Sequence, residues 1–173
     1  LTIARLLSRL NESLGDNTVV IADVGDSLFG ASDLVIRQKT EFISPAYYTS
    51  MGFAAPATLG ASFARPGVRV VTVIGDGAFQ MTGMELSTVI RHGFDPIAIV
   101  LDNKGYGTER FLHPGPFNDI HPWNYHKLPE LLGGGIGHEV STEEEFDRAL
   151  TQAYNTRGQL QLIQCHIGLE DRS

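Results

Sequence analysis

Four short apolar runs rich in β-branched residues, at 19–22, 68–74, 97–101 and 160–167, are nearly continuous and lack the alternation of a half-exposed strand. Runs of this kind mark strands covered on both faces. Two shorter candidates lie at 41–43 and 138–140, and helical patterns at 52–64, 78–91, 128–132 and 142–154 fall between the runs. Ser141 and Glu144 are expected to form a capping box for the last of these helices. Strands and helices in alternation, joined by right-handed crossovers, predict an α/β fold: a doubly wound, mainly parallel six-stranded sheet with helices on both faces. At 173 residues and 42% hydrophobic content, residues 1–173 read as a single domain. A domain of that size buries about two thirds of its unfolded surface.

The formal charge is −7 and the basic residues are scattered, so no stripe suits a duplex phosphate backbone or an anionic membrane. No segment is apolar for long enough to span a bilayer. Cys165 is the single cysteine, lies inside an apolar run and has no partner for an internal disulfide, which suits a reducing, cytoplasmic setting. Ile3, Leu6, Leu7, Leu10 and Leu14 share one helical face with arginines interspersed, unlike a signal peptide. Because the sequence starts without methionine on this amphipathic helix, it is expected to be an excised domain or the tail of a longer polypeptide.

The chemistry concentrates where two central runs stop. One ends in Gly75-Asp76-Gly77, the next in Asp102-Asn103-Lys104-Gly105. In an open parallel sheet ligands bind beyond the carboxyl ends of strands, so Asp76 and Asn103 are expected to face one another there. A carboxylate, an amide oxygen and the Gly105 carbonyl are hard donors suited to one Mg2+ or Ca2+. A half-filled Mg2+ shell leaves positions for water and a phosphate ester. Gly75 and Gly77 allow close backbone approach, and the amides of Ala78 and Phe79 would point toward that ester. A metal and peptide dipoles would then supply positive charge in an acidic protein. Gly-Asp-Gly alone is more often a plain strand-to-helix turn, and the weight comes from the second turn one crossover later. It fails as a dinucleotide fingerprint, since the third glycine would fall at Gln80, and no Gly-Lys-Ser/Thr phosphate loop occurs.

Other features carry less. Glu85 lies within a helix and reads as structural. His92, His113, His121, His126, His138 and His166 show no zinc spacing. Phe111, Phe117, Trp123 and Tyr125 suit packing against a partner more than covering a site. The segment 105–127 is rich in proline, glycine and aromatic residues, and a loop of that length is often functional.

The two turns together with "GYGTE" and "HPGPFNDIHPWNYHKLPELLG" resemble the carboxyl-terminal, diphosphate-binding domain of the pyruvate and indolepyruvate decarboxylase family. The resemblance implies thiamine diphosphate and Mg2+ as cofactors, with Asp76, Asn103 and the Gly105 carbonyl as metal ligands. "DVGDSLFG" resembles the family's diphosphate-side turn and nominates Asp26 and Ser27. "TSMGFAAPATLG" resembles the segment beneath the thiazolium ring, with Met51 as the wedge for a bent cofactor and the Thr49 carbonyl facing the aminopyrimidine. Family members more often carry glycine where this chain has Thr49 and a second asparagine where it has Asp102. Glu109 is the implied catalytic residue, assisting decarboxylation and proton delivery; the plainer alternative is a solvated glutamate paired with Arg110. Thr108 and Leu112 would line the substrate pocket with room for a bulky aryl 2-oxo acid.

In this family a second glutamate, on a pyrimidine-binding domain, activates the cofactor, and nothing in the sequence corresponds to that domain. The implied partners are therefore a pyrimidine-binding domain, in the same longer chain or a separate subunit, within a homodimer or tetramer. The isolated chain is expected to be inactive. Two other readings remain: a carboligase domain like those of acetolactate synthase or benzaldehyde lyase, and a non-catalytic assembly module. Glu109 and the "GPFND" loop favour decarboxylation over the first, and intact metal ligands argue against the second.

Overall fold

The computed structural model describes residues 1–37 and 41–173. Six parallel strands, β1 (Thr18–Ala22), β2 (Glu41–Ile43), β3 (Arg69–Gly75), β4 (Ile97–Asp102), β5 (Ile136–Val140) and β6 (Gln161–His166), form one sheet in the order β2-β1-β3-β4-β6-β5. β1, β3, β4 and β6 coincide with the four long apolar runs, because a strand sandwiched between helix layers is apolar on both faces, whereas the edge strands β2 and β5 overlap the two shorter candidates and are less buried. Eight helices connect them: α1 (Ile3–Ser13), α2 (Asp26–Ala31), α3 (Ala54–Ala64), α4 (Asp76–Thr82), α5 (Leu86–Arg91), α6 (Gly107–Leu112), α7 (Leu128–Leu131) and α8 (Glu143–Asn155).

Successive strand residues serve opposite layers, as a period of two requires. Val20, Ala22, Val71 and Val73 pack with Ile3, Leu6 and Leu10 of α1 and Phe146 and Leu150 of α8. Val19, Ile21, Ile74 and Val100 pack with Ala54 and Ala55 of α3, Phe79 of α4 and Val89 of α5. Burying each large aliphatic side chain in this way contributes about 2 kcal/mol relative to leaving it in water. Arg5 and Arg9 both reach Glu143, joining α1 to α8 at the surface. The Arg5 hydrogen bond holds the Glu143 carboxyl down at about 2.

Three sequence expectations shift. The capping box of α8 uses Thr142 and Glu145, one residue beyond Ser141 and Glu144: the Thr142 hydroxyl accepts from the Glu145 amide and the Glu145 carboxylate from the Thr142 amide. The single helix expected over 78–91 is two helices with a tight 3-10 turn at Gly83–Glu85. A Cβ at Gly83 would lie 2.4 Å from the Phe79 ring, and Thr82 turns aside to donate to the Gly52 carbonyl. The segment 105–127 contains α6 and two 3-10 turns.

The sheet order sets the site. From β1 the chain crosses to β2 on one side, then returns past β1 to β3 on the other, so the direction of winding reverses between β1 and β3. In doubly wound sheets the ligand crevice opens at that reversal, beyond the carboxyl ends of the strands.

Candidate functional site

A cavity of about 290 Å³ occupies this position, bounded by the turns that follow β1, β3 and β4. Gly75 and Leu101 are register partners in the parallel β3–β4 ladder, so Asp76 and Asn103 leave the sheet one and two residues past the same rung. The two turns touch. One Asp76 carboxylate oxygen accepts from the Gly77 amide at 2.7 Å, and the other accepts from the Gly105 amide at 3.1 Å across the strand boundary.

Asp76 is only 1% exposed. Burial pushes its carboxyl up to about 7, with the nearby Asp102 adding to the shift and backbone amides opposing it. A carboxylate so placed is costly to charge without a cation nearby. Asn103 is also buried, and its amide makes no hydrogen bond among the described residues. No group of three His, Cys, Asp or Glu suited to a metal occurs among them either. A cation here would therefore draw on one carboxylate, one amide oxygen and backbone carbonyl oxygen, a hard donor set suited to Mg2+.

Two glycines around this turn are closely surrounded, and the first is required by contact with backbone. Gly105 has φ +150°, and a Cβ would lie 2.0 Å from the Asn118 carbonyl oxygen. At Gly107 a Cβ would lie 2.6 Å from the Asn103 amide nitrogen and 3.0 Å from an Asp26 carboxylate oxygen. Asn103 and Asp26 thus converge on the bare start of α6.

The structure distributes the expected site residues as follows. Asp76, Asn103 and Gly105 line the cavity, as do Gly75, Gly77 and Ala78 at the opening of α4. Asp26 and Ser27, at the start of α2, line it opposite them. Thr49 and Met51 approach from the segment before α3, while Thr108 and Glu109 approach from α6. Phe79 does not line it. Its ring is buried in the core, edge-on to Tyr125. Leu112 does not line it either, being 72% exposed at the end of α6. Glu109 is exposed, and its neighbour Arg110 pairs with Asp119 at 2.8 Å instead of with Glu109. Thr49 has φ +52°, in the left-handed region where a β-branched residue is strained and glycine is not. That geometry supplies a physical reason for the glycine more usual at this position. Asp102 points away toward β6: its carboxylate accepts from Gln164 at 2.8 Å and lies 3.0 Å from a His166 ring nitrogen.

Asp23 and Tyr106 went unnoticed in the sequence, and Arg110 was read there only as a pairing partner for Glu109. Asp23 is fully buried and accepts from the amides of Val24 (3.0 Å), Gly52 (3.1 Å) and Ala54 (2.7 Å). It takes over the capping that α3 lacks from its own N-cap residue, Phe53, and so ties the Thr49–Met51 stretch to the end of β1. Burial raises its carboxyl, against the opposing pull of those three amides. Its signal was legible in principle, since β1 ends in a carboxylate as β3 does. Tyr106 lays its ring over Gly77, where a Cβ would lie 2.5 Å away.

An α/β sheet of this order, with a hard-oxygen site between the β3 and β4 turns, defines a class that comparison with known proteins identifies. The chain belongs to the thiamine pyrophosphate enzyme family, whose C-terminal TPP binding domain is matched by residues 23–165. It is 39% identical over 166 residues to an indole-3-pyruvate decarboxylase of Azospirillum brasilense, covering 95% of this chain and 30% of that protein. It is 38% identical over 168 residues to alpha-keto-acid decarboxylases of Mycobacterium bovis and Mycobacterium tuberculosis, with the same coverage. The chain thus spans about 30% of the length of these relatives. Among the described residues no helix is long and apolar enough to cross a membrane.

Proposed function

We propose that this chain is the diphosphate- and Mg2+-binding half of a thiamine diphosphate-dependent 2-oxo acid decarboxylase, releasing an aldehyde and carbon dioxide. The observation that carries the reading is the contact between the two turns: the buried Asp76 carboxylate bonded to the Gly105 amide, with Asn103 beside it in one cavity. Asp76, Asn103 and the Gly105 carbonyl would hold the Mg2+, and the amides opening α4 together with Asp26 and Ser27 would face the diphosphate. Thiamine diphosphate supplies the carbanion and the electron sink on which decarboxylation depends.

The chain's own residues bind and orient. Met51 would support the bound ring and Thr49 would offer its carbonyl to the aminopyrimidine, both from the segment before α3 that lines the cavity. Glu109 stands at the mouth of the cavity, where its carboxyl delivers a proton to the reacting carbon once a covering surface excludes water. The names carried by the relatives, indole-3-pyruvate and alpha-keto-acid decarboxylase, favour decarboxylation over carboligation here. Thr108 is the substrate contact this chain provides, and an aryl 2-oxo acid is the substrate class we favour.

A pyrimidine-binding domain, from a longer form of this chain or from a second subunit, supplies the missing wall and the activating carboxylate, in a homo-oligomer working in the cytoplasm. As a single domain without it, residues 1–173 bind cofactor and do not turn over. The test titrates thiamine diphosphate and Mg2+ into this chain by calorimetry, then assays decarboxylation of pyruvate and indolepyruvate with and without a pyrimidine-domain partner. Metal-dependent binding without turnover is expected for the chain alone. Turnover by the chain alone would overturn the division of labour, and absence of cofactor binding would favour a non-catalytic assembly module.

A further inference from the structure

We propose that Arg110 is a positioning residue that fixes the metal-binding turn relative to the helix carrying Glu109. It rests on the assignment of Asn103 to Gly105 as that turn. Arg110 follows Glu109 directly in α6, its side chain is 12% exposed, and it does not line the cavity. Its guanidinium donates in four directions. One terminal nitrogen donates to the Asn103 carbonyl at 3.1 Å and the Leu169 carbonyl at 3.3 Å. The other donates to the Lys104 carbonyl and to the Asp119 carboxylate, both at 2.8 Å.

Two of those acceptors belong to the turn, and the turn is strained. Lys104 has φ +61°, a left-handed conformation that a lysine adopts at a cost and keeps only where its surroundings impose it. The guanidinium also presses on Gly105, where a Cβ would lie 2.6 Å from its nitrogen. The opposite side of the turn is fixed by the bridge from Gly105 to Asp119 and by the Ile120 amide donating to the Lys104 carbonyl at 3.3 Å. Arg110 therefore grips a strained tripeptide by its carbonyls while being rooted in α6, one residue from Glu109. A lysine could not replace it, because an ammonium cannot span acceptors spread across a planar fork. Through this residue a shift of α6 moves the Gly105 carbonyl, and loss of the grip loosens the metal site without removing a ligand.

The competing account is that Arg110 only staples the loop around Asp119. Amide hydrogen exchange and titration with Mg2+ plus inorganic pyrophosphate, on this chain and its Arg110→Met, Arg110→Lys and Asp119→Asn variants, separate the two. Arg110→Met is expected to speed exchange at Gly105 and Tyr106 and to weaken Mg2+–pyrophosphate binding about tenfold, the scale typical of groups that orient metal ligands. Arg110→Lys recovers part of this at most. Asp119→Asn keeps the turn amides and the Mg2+ affinity of the parent chain, and Gly52 and Ala54, held by Asp23 at the far side of the cavity, exchange as before in every variant. If Arg110→Met proves unfolded, with Gly52 and Ala54 exposed as well, the lysine variant decides: faster exchange confined to Gly105 and Tyr106 supports the proposal, and unchanged exchange overturns it. Parent-like Mg2+ affinity in Arg110→Met, or an Asp119→Asn variant as weak as Arg110→Met, also overturns it. Absence of Mg2+–pyrophosphate binding in the parent chain would count against the proposed function, and the exchange data would still decide the role of Arg110.

Discussion

The two ends of the cavity, the proposed metal end and the proposed ring end, are built to different standards. At the metal end Asp76, Asn103 and Gly105 are buried, their turns are joined by a hydrogen bond, and glycine is required by backbone contact at 105. At the ring end Thr49 and Glu109 are exposed, Met51 is 38% exposed, and Leu112 stands outside. The metal end needs a burial that the sheet provides, because strand ends bring their turns together whatever lies beyond. The ring end needs a covering wall that no strand of this sheet reaches. Under the proposed function, the difference teaches where one chain's responsibility ends: its own turns anchor the cofactor, and a partner surface completes the reaction chamber.

The strongest way to break this contrast is Asp76→Ala, which should weaken Mg2+-dependent thiamine diphosphate binding by more than about 100-fold, beyond the range seen when only supporting groups are lost. Met51→Ala, at the open end, should cost much less, and calorimetric titration of both variants checks the ranking. The same carboxyl sets a pH dependence. Its folded value, about 7, lies above the ordinary 3.8, so its contribution to the stability of the metal-free chain is present below 3.8 and is lost as pH rises through about 7. Mg2+ needs the carboxylate, so metal affinity should climb over the same interval, with proton release measurable by titration in buffers of different ionisation enthalpy.

Gly105→Ala comes next. It combines a disfavoured φ with a Cβ pressed against the Asn118 carbonyl, and thermal unfolding should show a loss of about 3 kcal/mol. Asp23→Asn exchanges a buried acceptor for an amide that turns a donor toward backbone N–H groups, and should cost about 2 kcal/mol. It sharpens the contrast, because it should loosen the Gly52 and Ala54 amides and weaken the whole cofactor while leaving pyrophosphate binding intact. Thr49→Gly is the smallest and opposite in sign. Relief of the left-handed threonine, less the entropy of glycine, should stabilise the chain by about 0.5 kcal/mol with cofactor affinity unchanged, since only the carbonyl is used.

The contrast also governs what was legible beforehand. The central strands and the turns that follow β3 and β4 were readable because they are local patterns: a continuous β-branched run, then a carboxylate or amide framed by glycines. α2 and α6 were not, since six residues containing a glycine show too little period to register as helices. The capping box was misplaced by one because Ser141 and Thr142 are chemically alike, and only the backbone geometry at Thr142 separates them. Asp23 was passed over although it ends its strand as Asp76 does, because its partners, Gly52 and Ala54, lie one crossover away. Arg110 looked like a surface partner for Glu109. Its four acceptors come from three other segments, a convergence that no spacing along the chain can display.

The most direct measurement replaces Mg2+ with Mn2+ in the presence of thiamine diphosphate and follows paramagnetic broadening of the backbone amide resonances. The account predicts that signals of Gly77, Asn103 and Gly105 vanish first, while Gly52 and Ala54 broaden later. Broadening centred elsewhere, or none that depends on the diphosphate, would contradict it.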